Sequence, residues 1–441
     1  MKSDYRFVTY KILHQFENKD DSILNIRNMI LSKIPDTDNK YLRYRTTVLI
    51  NEVMRHKGRL DLMITYTSGK RIKYLNKKVL TILRIGFYEI LFDSKVPDYA
   101  AVDTSVKLAH KVTNKKTKGF TNAVLRKLIR YNKENVNWYK ELESKKGWLS
   151  IPSWIEKRWL KNFGKQGLIK LIEFCNQSPK TFLRCDGLKS SMRQNKYLLE
   201  KEGIKTKLFS SNFLMVTSGG SRVLESKLFK NGEISIQSPS AAAVVDCLGA
   251  EKNDVVLDVC AAPGTKTLQL ANLLGTEGFI YASDISPERV HLGEKDKKRH
   301  RKKNIKWSSK DARKDSFNMV DKILIDAPCS GTGVIGRRPD IRWRRKESDL
   351  KKFVNTQLSI LKNCSNYINK GGIIVYATCS IEPEENYNVV EKFLNLKSNF
   401  AIDNIPDGVP KLWVKNKIAL NIMPHEHGLD GIFAMRIKRI F

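Results

Sequence analysis

Between Asp254 and Cys379 five short apolar runs alternate with longer segments of helical spacing. They are VVLDVC (255–260), FIYASD (279–284), IKWSSKD (305–311), KILIDAP (322–328) and GGIIVYATC (371–379). Runs of four to six apolar residues bounded by Gly, Pro or an acid suit strands buried on both faces, as in a parallel sheet covered by helices. The alternation therefore restricts this region to a doubly wound α/β sheet. In such a sheet ligands sit beyond the carboxyl ends of the strands, so the residues that close the runs are the candidates for chemistry. Here they are Cys260, Asp284, Asp311, Asp326 with Cys329 shortly after it, and Cys379. The segment Gly431 to Arg439 is expected to add an antiparallel edge strand.

The first run leads through Cys260, Ala261, Ala262, Pro263, Gly264, Thr265 and Lys266 into the apolar helix TLQLANLL. A strand, a turn of small residues and a helix N-terminus together form a pocket for a carboxylate-bearing or anionic ligand. The turn has neither the G-x-G-x-x-G spacing of a dinucleotide site nor the upstream glycine of a phosphate-binding loop. Three acids then converge on one edge, and an acid closing the second strand is suited to accept both hydroxyl hydrogens of a ribose. S-adenosylmethionine carries the groups that match: ribose hydroxyls, an adenine amino group and an amino-acid ammonium. Two thiols at corresponding strand ends, with Asp326 three residues before Cys329, are equipped for covalent chemistry through a thiolate.

The preceding chain has a different character. From Tyr5 to about Tyr131 the spacing is helical: Val8, Ile12, Leu13 and Phe16 share one face, and Leu80, Leu83, Ile85, Phe87, Ile90 and Leu91 fill a mostly buried helix. Pro35 and Pro97 fall at helix boundaries. Residues 1–135 are read as an all-helical domain and 136–150 as a polar linker. Residues 151–236 are read as a small α+β module with an antiparallel sheet, opening on a helix capped by Ser153, and 237–441 as the α/β domain.

The net charge of +34 points to a polyanionic partner. Residues 1–135 carry 28 basic and 13 acidic side chains, whereas 236–441 carry 33 and 24, so the excess is densest away from the α/β domain. Arg337, Arg338, Arg342, Arg344 and Arg345 surround Trp343 just after the Cys329 loop, a combination suited to clamping phosphates and stacking on an unpaired base. Seven cysteines without a C-x-x-C pair argue against a disulfide framework and against structural zinc. His425 and His427 lack a third ligand pattern, so no metal is expected. No stretch approaches the roughly 18 apolar residues of a membrane span. The opening residues lack a signal-peptide core, so a cytoplasmic protein is expected.

VLDVCAAPGTKT, SDISPERV, DKILIDAPCSGTGVIGRRPDIRWRR and YATCSIEPEEN together resemble the RNA 5-methylcytosine methyltransferases. The segment Lys95 to Arg130, with Pro97 starting a helix, a basic loop at Lys111, Lys115, Lys116 and Lys118, and Gly119-Phe120-Thr121-Asn122 opening the next helix, resembles a NusB-like RNA-binding domain. Together they are similar to the members of that family that act on 16S ribosomal RNA. The resemblance implies a Rossmann-like S-adenosylmethionine-dependent methyltransferase domain behind the helical one, with the middle module recognising RNA. It implies cofactor binding by Cys260 to Lys266, Asp284, Arg289, Asp311 and Asp326, and small-subunit ribosomal RNA as partner; a monomer is expected, though nothing in the residues encodes an oligomeric state. It also implies that Cys379 is the nucleophile, that Cys329 assists product release and that Asp326 stabilises the adduct; the residues alone do not order the two thiols. Thr265 departs from the family, which usually has a second glycine there, and its side chain narrows the turn.

Overall fold

The computed structural model describes residues 4–19, 21–34, 40–186 and 191–441. Pro35 and Ser190, expected at helix starts or ends, lie outside the described residues. The chain divides into two compact units, one reaching to Ser178 and including Arg338–Arg345, the other comprising Pro179–Arg337 and Lys346–Phe441.

The first unit contains α1 (Tyr5–Phe16), α2 (Ile23–Leu31), α3 (Lys40–Ser68), α4 (Lys77–Phe92), α5 (Asp98–Val112), α6 (Lys115–Glu134) and α7 (Ser153–Cys175). Asn76 caps α4 by accepting from the backbone N–H groups of Lys78 and Val79, and every residue from Val79 to Glu89 is buried. A helix buried all round is the centre of its bundle, each buried Leu, Ile or Phe contributing about 1.5–3 kcal/mol. Its polar residues are matched: Arg84 donates to Asp61 at 2.6 Å, and Glu89 accepts from Arg6 at 2.8 Å.

Three expectations about this unit change. The helix expected to open at Gly119 begins at Lys115, because Asn114 and Thr117 form a reciprocal capping box. Lys115, Lys116 and Lys118 therefore lie in its first turn, not in a loop. Residues 136–150 do not run as a free linker, since Trp138, Leu142 and Trp148 are buried in the helical core. Ser153 makes no side-chain cap; α7 follows Pro152 and turns at Gly164, where φ is 68°.

The arginine-rich segment also differs from its expected role. Arg342 is completely buried within the first unit. It donates to the carbonyls of Arg55, Ser150 and Cys175 and to Asn176 Oδ1, at 2.8 to 3.2 Å. Trp343 donates its indole N–H to the Met54 carbonyl at 2.7 Å and packs on the same core. A guanidinium whose two terminal nitrogens donate to buried carbonyls anchors a segment and is not free for phosphate, whereas Arg338 is exposed.

The second unit begins with β1 (Thr181–Cys185), β2 (Lys205–Ser210), β3 (Phe213–Ser218) and β4 (Ile234–Ile236), paired antiparallel in the order β2-β3-β1-β4. The helix Met192–Lys201 precedes β2. The large sheet follows with β5 (Val255–Val259), β6 (Phe279–Asp284), β7 (Ile305–Ser309), β8 (Val320–Asp326) and β9 (Ile368–Thr378). It is completed by β10 (Phe400–Asp403), β11 (Val414–Lys415), β12 (Ala419–Ile422) and β13 (Ile432–Arg439). Its order is β11-β12-β13-β9-β8-β5-β6-β7, with β10 also pairing β13. The strands β5 to β9 are parallel. β13 is antiparallel as expected but is not an edge, because it pairs with β9 on one side and with β10 and β12 on the other. Its inward position agrees with its burial from Ile432 through Met435.

Candidate active site at the carboxyl ends of the parallel strands

Strands β8 and β9 run in register with Asp326 beside Ala377, and the ladder extends one step further through Ala327 N–H to the Ala377 carbonyl at 2.8 Å. The two chains thus leave the sheet side by side. Their sulfur atoms meet: Cys329 Sγ and Cys379 Sγ are 3.1 Å apart. Both cysteines and Cys260 are partly exposed, while Cys175, Cys185, Cys247 and Cys364 are buried. The hydrogen bond with Cys379, reinforced by burial, pushes the Cys329 thiol well above its ordinary value. Either thiol can donate to the other across this contact.

A charged pair stands beside the thiols. Lys266, in the first turn of the helix Thr265–Leu274, donates from Nζ to Asp326 Oδ2 at 2.6 Å. Burial would lower the lysine, but Asp326 by charge and by hydrogen bond, with a smaller contribution from Cys379, outweighs it and raises the ammonium above its usual value. The turn at 260–266 and the strand that carries Asp326 are thereby joined.

The turn that opens this helix is tightly shaped. Cys260 takes a left-handed φ of 57°, the Ala262–Pro263 peptide is cis, and Gly264 has φ 105°. A Cβ on Gly264 would lie 2.9 Å from the ring of Trp307, so only glycine fits. Thr265 is the first helical residue after it. The Asp284 carboxylate, at the end of β6, accepts from the N–H groups of Ala262 at 3.2 Å and Ser286 at 3.1 Å and pairs with Arg289 at 2.9 Å. Arg289 also donates to the Ala262 carbonyl. Asp311 lies two residues past β7 and is held by Arg313, whose hydrogen bonds bring its carboxyl down to about 2 against the opposing effect of burial. The turn at 260–266, Asp284 with Arg289, and Asp326 with the two thiols are joined by hydrogen bonds or by strand register. Asp311 is engaged with Arg313 in its own loop.

One acid at the site was given no role by the motif reading. Glu385 is fully buried and accepts from Ser330, which follows Cys329, and from Ser380, which follows Cys379. The available signal is a repeated Cys-Ser pair followed, after the second, by a carboxylate at Glu385.

Comparison with known proteins adds to this geometry. A family model described as 16S rRNA methyltransferase RsmB/F matches residues 245–438, and the NusB family matches residues 4–130. A Bacillus subtilis (strain 168) protein named "Probable ribosomal RNA small subunit methyltransferase B" is 30% identical over 99% of this chain and 99% of its own length. A Proteus mirabilis (strain HI4320) protein named "Ribosomal RNA small subunit methyltransferase B" is 31% identical, covering 91% of this chain and 94% of the relative. The chain belongs to the ribosomal RNA small subunit methyltransferase B family.

In this family of ribosomal RNA methyltransferases the helical unit supplies the NusB portion, and the large sheet is the Rossmann-like methyltransferase domain. The fold is shared with the crystal structure of PH0851, at a TM-score of 0.78 and 24% identity over 99% of both chains. It is also shared with NSun6 from Pyrococcus horikoshii, solved with SFG, at a TM-score of 0.58 and 22% identity, covering 66% of this chain and 98% of that one.

Proposed function

We propose that the protein transfers a methyl group from S-adenosylmethionine to carbon 5 of a cytosine in small-subunit ribosomal RNA, through a covalent bond between Cys379 and the base. The observation that carries this reading is the 3.1 Å approach of two partly exposed thiols at adjacent strand ends. The paired Lys266 and Asp326 stand beside them.

The residues at the strand ends suit the cofactor. The Gly264 turn is closed to any Cβ, Asp284 at the end of β6 is suited to a pair of ribose hydroxyls, and Arg289 braces the same turn. When bound, S-adenosylmethionine supplies an electrophilic methyl group on a sulfonium sulfur, and carbon 5 of the activated cytosine is its acceptor. The protein's part is to make carbon 5 nucleophilic. Addition of the Cys379 thiolate to carbon 6 forms a C–S bond and moves the C5–C6 π electrons onto carbon 5 and the N3–O2 system. The Lys266 ammonium, held in place by Asp326, donates toward the N3 side and stabilises that charge. Loss of the carbon 5 proton to a base then restores the double bond and expels Cys379 as thiolate. Cys329 stands where it can assist that release. The target base must leave its stack to reach a thiol, which favours a loop or bulge over a regular duplex.

The test is transfer of labelled methyl from S-adenosylmethionine to protein-free small-subunit ribosomal RNA, mapped by nucleotide. One labelled cytosine, converted to 5-methylcytosine, is the expected result. Label at another base or ring position would overturn the chemistry, and label only in transfer RNA would overturn the substrate.

A further inference from the structure

Behind the two thiols a single buried carboxylate receives four hydrogen bonds. Glu385 Oε1 accepts from the Ser330 backbone N–H at 2.8 Å and from Gln357 Nε2 at 3.0 Å. Glu385 Oε2 accepts from the hydroxyls of Ser330 and Ser380, each at 2.5 Å. Ser330 and Ser380 are the residues immediately after Cys329 and Cys379. One carboxylate thus grips both cysteine loops at the same depth. Its own backbone is fixed in turn, since Tyr376 on β9 donates its hydroxyl to the Glu385 carbonyl at 2.6 Å. Gln357 also donates to the carbonyl of Pro328, just before Cys329, at 3.0 Å. On the other side Asn386 donates to the Ser380 carbonyl at 3.0 Å and accepts from Thr378 at 2.6 Å. Glu385, Ser330, Ser380, Gln357 and Thr378 are all at most 1% exposed, so water does not replace these bonds.

We propose that Glu385 is a positioning residue that sets the separation of the two thiols by clasping the serine that follows each. The inference rests on the two-thiol reading above for its effect on turnover, but its geometric content stands apart from the reaction. A carboxylate is needed for a chemical reason. A carboxylate accepts all four with charge-assisted strength, whereas an amide of the same shape accepts through one oxygen only, so the two serine hydroxyls must turn round and accept, and the charge is lost.

The experiment uses the full-length protein without RNA. Phenylarsine oxide joins two neighbouring thiols to one arsenic with release of one water and no change in oxidation state, and the product is read by intact mass. The wild type is expected to take up one arsenical linking Cys329 and Cys379, with Cys329→Ser as the control that cannot close the ring. Glu385→Gln, Ser330→Ala and Ser380→Ala are expected to close it about tenfold more slowly or worse, the factor associated with losing one hydrogen bond to a charged group. If Glu385→Gln does not fold, the two serine variants carry the test, since each removes one arm of the clasp. Wild-type rates in all the folded variants, or no ring closure in the wild type, would overturn the proposal. With labelled methyl donor and RNA, the same variants, with the folded fraction measured by circular dichroism and kcat expressed per folded enzyme, are expected to lose kcat while KM for the donor stays within about twofold. A wild type that captures arsenic but methylates no RNA would overturn the reaction and leave the clasp standing.

Discussion

Around the ends of β6 and β7 the acids face cations that water reaches, whereas behind the ends of β8 and β9 the acid faces groups that it does not. Asp284 is paired with Arg289 and Asp311 with Arg313, and both arginine side chains are 49% exposed. Glu385 is matched by Ser330, Ser380 and Gln357, all of them buried. The two carboxylates are themselves buried, Asp284 to 1% exposure, so each acid is fixed while its arginine can turn into water. A buried carboxylate with four donors on it re-forms its bonds only after desolvation penalties are met, so it keeps its geometry. At one part of the sheet edge the arginine partners reach water and are exchangeable, and at the other every partner of the carboxylate is sealed in. The Lys266–Asp326 pair ties the helix Thr265–Leu274 to the strands that carry the thiols, with Asp326 still about one third exposed.

The sharpest way to break this contrast is at the thiols. Cys379→Ala is expected to reduce methyl transfer to background, while Cys329→Ala still forms the adduct and accumulates it, seen as protein retained on RNA in a denaturing gel. Next in size, Asp326→Asn or Lys266→Met is expected to lower kcat by about 10²–10³-fold, as for removal of a preorganised electrostatic group. Asp284→Ala should act on the exchangeable part alone, raising KM for S-adenosylmethionine about tenfold or more with a smaller change in kcat. The smallest effect concerns Arg313, which holds Asp311 down to about 2. A carboxyl depressed in the folded state stabilises it above the ordinary value of about 3.9, and the contribution disappears as pH falls through the folded value. Melting curves of Arg313→Ala and the wild type should thus differ above about pH 4 and converge toward pH 2.

The parallel strands were legible because each is a run of apolar residues closed by a small or acidic one, and β5 to β9 stand where those runs end. Neighbours were less legible. The run at Ile432–Arg439 reads as a strand, but nothing in it tells that both its sides are paired, and the short partners β10 and β12 have four residues each. The cysteines, Asp326 and the Gly264 turn stand out because their residue types are unusual at strand ends. Glu385 does not, because its partners Ser330 and Gln357 are 55 and 28 residues away in sequence. Arg342 misleads for the same reason: an arginine beside a tryptophan reads as an RNA contact until the carbonyls of Arg55, Ser150 and Cys175 are found around it.

The assignment of Cys379 as the nucleophile is tested most directly by trapping the enzyme on small-subunit ribosomal RNA carrying 5-fluorocytosine, in the presence of S-adenosylmethionine. Fluorine at carbon 5 cannot leave as the proton does, so the covalent adduct persists and can be digested and sequenced by mass spectrometry. The account predicts one modified peptide, with the nucleotide on Cys379. A nucleotide on Cys329, or no covalent peptide despite methylation of unmodified RNA, would contradict it.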